Sequence, residues 1–226
     1  MVKIDLSDGT EPKLTTNSEK LAKDLVATLP IDKPGLFNPW REPCKFDTPR
    51  NGPEERFQRL TKHLDCDASL ILVGEAPGYA GARYSGVAFT SERLLMEGAI
   101  PRIEAIPHRL SVRKLPFSEP SATIVWKTLY RLGVAEQTIL WNAVQLHPFK
   151  GSYSWSNRTP TDTELTYGVG ALKLLQKAYP RAMMVAVGKK AAGVLSMLEI
   201  PFCAAVRHPA NGGATLFSEG LATALK

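Results

Sequence analysis

The first residues that could do chemistry lie in the stretch SLILVGEAPG, where an apolar run ends in Gly74-Glu75-Ala76-Pro77-Gly78. A carboxylate such as Glu75 can position water or act as a general base, and glycines let the main chain approach a ligand closely. Three further side chains stand near the ends of apolar runs or among small polar residues, namely Phe89, Asn142 and His208. An aromatic ring can stack, an amide can both donate and accept, and an imidazole can donate to developing negative charge.

Each of these residues also has a plainer interpretation. GEAPG could be only a tight strand-to-helix turn, in which the proline fixes φ. Phe89 could be a core residue packed under the loop, Asn142 could satisfy loop backbone, and His208 could be a hydrogen-bonded turn histidine. Taken one at a time, the residues do not decide between these interpretations and a functional site.

Four short apolar runs position these residues, and helical patterns separate the runs. The runs are SLILVGEAPG, TILWNAV, AMMVAVG and FCAAVRHPA, and the helical patterns cover 91–98, 122–132, 163–179 and 189–198. Apolar strands that alternate with helices predict an α/β fold, with a parallel sheet covered on both faces and right-handed crossovers. Ligands of such sheets bind outside the carboxyl ends of the strands, so the residues after each run should converge on one cleft.

The part of the chain before the first of these strands contains a helical pattern and a proline-rich stretch. The helix is expected over about 18–28, and the stretch over 29–53 should be irregular and lie on the surface. A chain of 226 residues fits one domain. We therefore expect a single domain over 1–226, with the N-terminal helix and proline-rich segment (about 1–67) packed on it.

The composition is that of an ordinary soluble globular protein, with 44 % hydrophobic and 22 % charged residues. No apolar run approaches the roughly 20 residues that span a bilayer, and the first residues lack the apolar core of a secretory signal. We expect a cytoplasmic protein that does not associate with membranes and is a monomer. Cys44, Cys66 and Cys203 are too scattered for a disulfide framework or a metal knuckle, so free thiols are expected. The net charge of +6 permits binding to a polyanion.

The order of the motifs is more specific than any one of them. Four features occur in this order: a strand that ends in GEAPG, an aromatic residue in GVAFT, a strand that ends in Asn142, and a last strand that ends in HPANGG. With these features the chain resembles the uracil-DNA glycosylase superfamily over roughly 68–218. The resemblance implies a three-layer α/β/α sandwich with a central four-stranded parallel sheet. It also implies hydrolysis of the N-glycosidic bond of uracil in DNA, which leaves an abasic site and needs neither cofactor nor metal.

The resemblance further implies a role for individual residues. Phe89 would stack on the flipped base, Asn142 would read O4 and N3 of its edge, and His208 would donate to O2 as the base departs. Gly74, Ala76, Pro77 and Gly78 would form the turn that contacts the base, and Glu75 would be a catalytic carboxylate. Pro209, Asn211, Gly212 and Gly213 would shape a loop that touches DNA.

Other residues could contact DNA by their chemistry alone. Lys150 and Arg158 lie in HPFKGSYSWSNRTP, where aromatic residues are interleaved with cations. Ser121 could cap the next helix and present its N-terminal NH groups to a phosphate, and Lys189 could bind a phosphate at the start of a helix. A structured surface loop, a simple cap and a solvated lysine are the corresponding alternatives.

The chain departs from the superfamily pattern at positions that matter for function. Ala76 falls where the best-known branch has its catalytic aspartate, and Gly78 falls where that branch has a tyrosine that blocks the 5-methyl group of thymine. The four cluster cysteines of the iron-sulfur branch, which also reads GEAPG, are missing. Glu75 could therefore have a structural role instead. Two other functions stay open, namely excision of another deaminated or mismatched base, and non-catalytic binding of damaged DNA.

Overall fold

The computed structural model describes residues 17–226, and residues 1–16 of the predicted N-terminal segment lie outside this range. The strands in the described part are β1 Leu36–Phe37, β2 Leu70–Gly74, β3 Thr138–Asn142, β4 His147–Pro148, β5 Met183–Val187 and β6 Ala204–Val206. Four of them form a parallel sheet in the order β3-β2-β5-β6, and β1 pairs with β4 in a separate antiparallel ladder. All four predicted strands are present, and they form the predicted sheet.

The helices lie on both faces of this sheet. Their bounds are α1 Asn17–Ala27, α2 Pro53–Leu64, α3 Ala82–Ser85, α4 Glu92–Met96, α5 Pro120–Arg131, α6 Asp162–Thr166, α7 Val169–Ala178, α8 Lys189–Met197 and α9 Ala214–Ala224, with a 3₁₀ turn at Ala135–Gln137. Within residues 17–226, none of these helices has the length and apolar character needed to cross a bilayer.

Successive strand residues enter two separate hydrophobic cores, one on each face of the sheet. Ile71 and Val73 of β2 pack in the core that includes α1, α7 and α8. Leu70 and Leu72 of the same strand pack in the core that includes α4, α5 and α9. Because a strand that is covered on both faces buries every side chain, its sequence is a continuous apolar run. The three-layer α/β/α sandwich is confirmed.

The strand order creates a crevice at the carboxyl end of β2. This strand pairs with β3 on one side and with β5 on the other, each time in parallel. Connections therefore leave the sheet in opposite directions around β2, which is the arrangement that opens a ligand site in α/β sheets.

The helical pattern predicted over 163–179 is interrupted, and α6 and α7 are separate helices. Gly168 stands at the break, where a Cβ would lie 1.7 Å from the carbonyl oxygen of Ala143. The main chain of this break thus packs directly against the residue that follows β3. The α2 helix was not predicted, although Pro53 begins it and Glu55 Oε2 accepts a hydrogen bond from the Gly52 N–H at 2.6 Å, which are ordinary helix-start signals.

The proline-rich segment is irregular apart from β1, and it lies only partly on the surface as predicted: residues 31–34 are exposed, whereas residues 36–40 are buried. Trp40 is only 8 % exposed and stacks on Trp141, with ring centroids 6.0 Å apart. Its Nε1–H donates to the Gly86 carbonyl at 3.0 Å. Buried Arg56 of α2 also holds this segment, through an ion pair with Asp47 at 2.8 Å. Through these tertiary contacts, part of the segment packs against the rest of the protein instead of lying in solvent.

Candidate active site

A cavity of about 420 Å³ opens at the carboxyl edge of the sheet. Its walls include residues 75–78 after β2, Asn142 at the end of β3, residues 187–190 after β5, and Arg207 and His208 after β6. Phe89 also lines it. The volume lies in the range of about 300–1,000 Å³ that is typical of small-molecule sites. The predicted convergence of the four strand ends is therefore confirmed.

Gly74 lies between the ring and the amide of this site. It is the last residue of β2 and is in register with Asn142. A Cβ on Gly74 would lie 2.7 Å from Asn142 Oδ1 and 2.8 Å from Phe89 Cζ. Because real Cβ atoms do not approach other atoms so closely, the amide and the ring occupy the space that any larger residue would need. Glycine at this position thus brings Phe89 and Asn142 together.

Phe89 has an unusual backbone that directs its ring into the cavity. Its φ is +47°, in the left-handed region that bulky residues rarely adopt. The Trp126 Nε1–H fixes this conformation by donating to the Phe89 carbonyl at 3.0 Å. The residue is also 7 % exposed and packs in the core. The Phe89 ring is thus both part of the core and a wall of the cavity. Backbone strain of this kind is concentrated at functional sites.

Asn142 presents an unused amide to the cavity. The residue is 7 % exposed, and its side chain makes no hydrogen bond to another residue in the described part of the chain. Its backbone is fixed, since the Gln145 Nε2–H donates to the Asn142 carbonyl at 2.6 Å. Because the amide lines the cavity and has no hydrogen-bond partner within residues 17–226, both its NH₂ and its oxygen are free to pair with a ligand. The geometry therefore favours a role for the amide in binding.

His208 has a defined tautomer. Its Nδ1 accepts a hydrogen bond from the Ala210 N–H at 3.1 Å, so the proton of the neutral ring is on Nε2. Burial lowers the pKa of His208, and the neighbouring Arg207 lowers it further. The neutral ring lies 6.2 Å from the Phe89 ring, measured between centroids. His208 can therefore offer one N–H to a group in the cavity without carrying a charge.

Gly188 makes room for this histidine. Its φ is +95°, and a Cβ would lie 3.0 Å from His208 Cβ. Both the conformation and the space thus favour glycine at the end of β5.

Glu75 belongs to the cavity wall and also to the supporting structure. Its carbonyl accepts the Val144 N–H at 2.9 Å, which joins the loops after β2 and β3. Its carboxylate forms an ion pair with Lys190, at 3.6 Å from Nζ to Oε2. The side chain is half-buried, and it also lines a groove next to the cavity. Ala76 and Pro77 line the cavity beside it.

Glu119 is a second carboxyl group in the cavity wall, and the sequence reasoning missed it. It precedes α5, lines the cavity and forms no ion pair within residues 17–226. Ser121 Oγ donates to its Oε1 at 3.0 Å, while Oε2 is shielded from solvent and has no hydrogen-bond partner in the described part of the chain. Burial raises the pKa of Glu119, and the hydrogen bond from Ser121 opposes this only in part. The neutral acid is thus favoured.

The space beside Gly78 is bounded by polar groups. A Cβ on Gly78 would lie 3.7 Å from Asn157 Nδ2 and 4.0 Å from Glu119 Oε1. Asn157 is held in place, because its Oδ1 accepts the Tyr79 N–H at 3.0 Å. Since no side chain fills this space from Gly78, the wall of the cavity here consists of an amide and a carboxyl group.

The loop after β6 lies beside the cavity, as the sequence predicted. Asn211 lines the cavity and has a φ of +52°, and exposed Gly212 follows with a φ of +75°. Pro209 is buried, and a Cβ on Gly213 would lie 2.1 Å from the His208 carbonyl oxygen. The loop is thus a tight turn with only its tip exposed.

Two of the predicted DNA contacts are exposed lysines. Lys189 is the first residue of α8 and lines the cavity. Lys150 is exposed but is not part of the cavity wall. Both side chains are accessible, so their predicted contacts with DNA stay predictions.

Two other predicted contacts are used differently in the structure. Ser121 does not cap α5, because the helix begins at Pro120 and the nearly buried Ser121 hydroxyl binds Glu119. Arg158 donates to Glu164 Oε1 and Oε2 at 2.7 Å each, and its other N–H groups bind the carbonyls of Gly35, Phe149 and Thr159. The guanidinium has five N–H groups, so none is left for a phosphate.

The residues around the cavity do not form a metal site. Within residues 17–226, no three His, Cys, Asp or Glu side chains are grouped so that they could hold a metal ion. Cys44, Cys66 and Cys203 are free thiols.

The fold and the cavity define an α/β/α protein with a ligand site at the carboxyl edge of its parallel sheet. A sequence model of the uracil DNA glycosylase superfamily matches residues 61–218. Since this match covers more than half of the chain, the protein belongs to that superfamily. Membership supports a glycosylase that acts on DNA.

A solved structure has the same fold. The wild-type SMUG2 of Pedobacter heparinus matches with a TM-score of 0.60 and 15 % sequence identity, over 91 % of this chain and 96 % of that chain. At this identity the likeness concerns the fold alone. No curated protein matches the chain.

Proposed function

We propose that this protein removes uracil from DNA by hydrolysing the bond between uracil N1 and deoxyribose C1′. One observation carries the proposal, namely that Phe89, Asn142 and His208 line a single cavity. A stacking surface, an amide that can pair with a base edge and a neutral donor for a departing base are the groups that such a reaction requires.

Binding of the base depends on the ring and the amide. Phe89 stacks on the everted base, which contributes about 1–3 kcal/mol without selecting one base. Asn142 supplies selectivity, because its NH₂ donates to uracil O4 while its oxygen accepts the N3 hydrogen. Cytosine has a donor and an acceptor at the opposite places, so its edge leaves polar groups unpaired in a nearly buried site.

Bond cleavage depends on stabilising the charge that the base carries away. As the N1–C1′ bond breaks, its electron pair moves into the uracil ring and negative charge develops on O2. The Nε2–H of His208 donates to O2, and a fixed donor of this kind accelerates reactions by about 10² to 10³. Burial raises the pKa of Glu119, which favours its uncharged form beside the departing base. Water adds its hydroxide to C1′ and its proton leaves by way of a nearby carboxylate, for which Glu75 is the candidate.

The test is release of free uracil from a uracil-containing oligonucleotide. Single- and double-stranded substrates are incubated with excess protein, and abasic sites are revealed by alkaline cleavage. The proposal predicts that wild-type protein causes cleavage at the uracil position. It predicts no cleavage of a matched oligonucleotide that has cytosine at that position and contains no thymine. No product from either substrate at high protein concentration would reject it.

A second candidate function is excision of a larger or modified base. It is favoured by the lack of a side chain at Gly78, where a Cβ would be in ordinary van der Waals contact with Asn157 Nδ2 at 3.7 Å and Glu119 Oε1 at 4.0 Å. A panel of oligonucleotides with hypoxanthine, xanthine or a thymine mismatch compares the bases directly. The variant Gly78→Tyr provides the control, because a ring at this position should suppress the bulkier bases and leave uracil excision largely intact.

A third candidate is binding of damaged DNA without turnover, since Ala76 cannot act as the catalytic carboxylate of this turn. Tight and salt-sensitive binding of uracil-containing DNA without any cleavage would support this function over the first two. We further propose that the protein acts as a monomer in the cytoplasm. Gel filtration with light scattering and cell fractionation test these two points.

A further inference from the structure

A loop over residues 110–117 is tied at both ends to one buried carboxylate. Glu92 is 0 % exposed and accepts the N–H of Leu110 at 2.8 Å and the N–H of Phe117 at 2.9 Å. Arg109 donates to the same carboxylate at 2.7 Å. Burial by itself would raise the pKa of Glu92, but these donors outweigh it and hold the pKa below its usual range. The loop therefore has a fixed base.

The tip of this loop exposes apolar and cationic side chains together. Val112 is 59 % exposed and Leu115 is 64 % exposed. Arg113 and Lys114 stand between them, are exposed, and form no ion pair within residues 17–226. No acidic residue occurs from 110 to 118. Arg113 Nη1 donates to the Leu115 carbonyl at 3.1 Å, and its guanidinium lies 5.0 Å from the Phe117 ring centroid. Exposed apolar side chains beside cations that have no carboxylate partner suit a polyanion that also offers apolar surface, which is the chemistry of DNA.

The tip is close to the cavity. Phe117, at the end of the loop, packs edge-on against Tyr79 with ring centroids 5.8 Å apart, and Tyr79 follows Gly78 in the cavity wall. Glu119 also lines the cavity. It follows Leu115 by four residues, so their Cα atoms are at most about 15 Å apart. This is the length of about four base steps of DNA, so a duplex with its base in the cavity is within reach of the tip.

We propose that the tip, Val112–Leu115, contacts the DNA duplex beside the everted nucleotide. The apolar side chains of Val112 and Leu115 enter the disturbed base stack and hold the nucleotide out, while Arg113 and Lys114 bind flanking phosphates. The inference rests on the proposed function, because it assumes that a nucleotide enters the cavity. It adds a second DNA-contacting element to the loop after β6.

An exposed apolar residue that follows the loop after β6 provides the competing explanation. Leu216 in the first turn of α9 is 59 % exposed, whereas Phe217 is 0 % exposed and cannot reach DNA. Leu216 stands on a helix, while the tip residues stand on a projecting loop. The experiments below therefore compare the two positions directly.

The first experiment tests the apolar side chains. The double variant V112A/L115A should lower the single-turnover rate of excision from duplex DNA by about tenfold and change the rate on single strands by no more than about twofold, because only a duplex has to be opened. Leu216→Ala should affect both substrates little. Ile31→Ala, an exposed apolar residue between α1 and β1, is the control for removal of surface apolar area.

The second experiment measures base eversion without chemistry. 2-Aminopurine next to the target position becomes brighter when the target leaves the stack. Wild-type protein should increase this fluorescence on a duplex, and V112A/L115A should lose most of the increase. This signal separates the inference from the proposed function: if no base is released from any substrate, the proposed function fails, while the fluorescence still decides the role of the tip.

The third experiment tests the cations. R113A/K114A should reduce the slope of log K against log [salt] for duplex binding by about 1 to 2, since each phosphate contact contributes about 0.9. K173A/K177A removes two exposed charges from α7 and should leave the slope unchanged.

Three results would overturn the inference. One is an equal loss on single strands and duplexes in V112A/L115A, and another is wild-type fluorescence in that variant. The last is a duplex-specific defect in Leu216→Ala and not in V112A/L115A.

Discussion

Replacing His208 by alanine tests the chemical core of the proposed reaction. The substitution removes the Nε2–H that faces the cavity and leaves the Phe89 ring and the Asn142 amide in place. One fixed donor to a developing oxyanion is worth about 10² to 10³ in rate, or about 2.7–4 kcal/mol. Because the donor acts mainly as charge develops, the affinity for uracil-containing DNA should change by much less than the rate.

The assay is single-turnover excision of uracil from a single-stranded oligonucleotide, with binding measured separately by fluorescence anisotropy. Thermal unfolding of the variant provides the folding control. Because burial lowers the pKa of His208, any loss of the wild-type rate through protonation of this ring should come below the usual imidazole value of about 6.5. A loss below about fivefold in a folded variant is too small for such a donor, and it would show that another group receives the charge.

Four further predictions follow from the same contacts. Gly74→Ala should lower the rate of excision by about 100-fold, because displacing the Phe89 ring or the Asn142 amide by about 1 Å is enough for such a loss. Gly193→Ala in α8, where a Cβ meets nothing within 4 Å, is the matched control in the same kinetic assay. Glu119→Gln should flatten the alkaline limb of the rate–pH profile. In the wild type, a rising pH ionises the Glu119 carboxyl, whose pKa is raised, and so places negative charge beside the anionic product. An unchanged alkaline limb in the variant would contradict this role. Trp40→Ala should reduce the free energy of unfolding in urea by about 3–5 kcal/mol, and a loss below about 1 kcal/mol would mean that the proline-rich segment is not part of the core. Burial lowers the pKa of His63 to about 3. Between about pH 6.5 and 3 the unfolded chain therefore binds a proton that the folded chain does not, so the free energy of unfolding should be full above pH 6.5 and fall as the pH falls. Urea titrations at neutral and acidic pH measure this, and His63→Gln should show the weaker pH dependence.

The parts of the site that the sequence predicts are those that depend on regular structure. Each buried strand is a continuous apolar run, and the carboxyl ends of parallel strands lie at one edge of a sheet. The positions of Gly74, Asn142 and His208 relative to the cavity follow from these two rules. Phe89 lies outside a strand, and its place was predicted only through the resemblance to a family.

The parts that the sequence does not predict are contacts between loops. Glu119 reaches the cavity from the residue before α5, and the only local hint is Pro120 at the first helical position, which marks a helix start but not a pocket. Arg158 looks like a free cation in the sequence, yet all of its donors are used by Glu164 and by the carbonyls of Gly35, Phe149 and Thr159. The spacing of these residues in the sequence does not predict their partners, because the partners depend on tertiary packing.

On the proposed role of the 110–117 loop, the carboxylate of Glu92 at its base bears on how quickly the protein searches a duplex. A floppy segment loses conformational freedom each time it meets DNA, and that loss weakens every encounter. Here Glu92 fixes both ends of the loop when the chain folds, so repeated brief contacts along a duplex would cost less ordering of the loop backbone. Glu92→Gln would then slow scanning between sites more than it slows cleavage at a site already occupied.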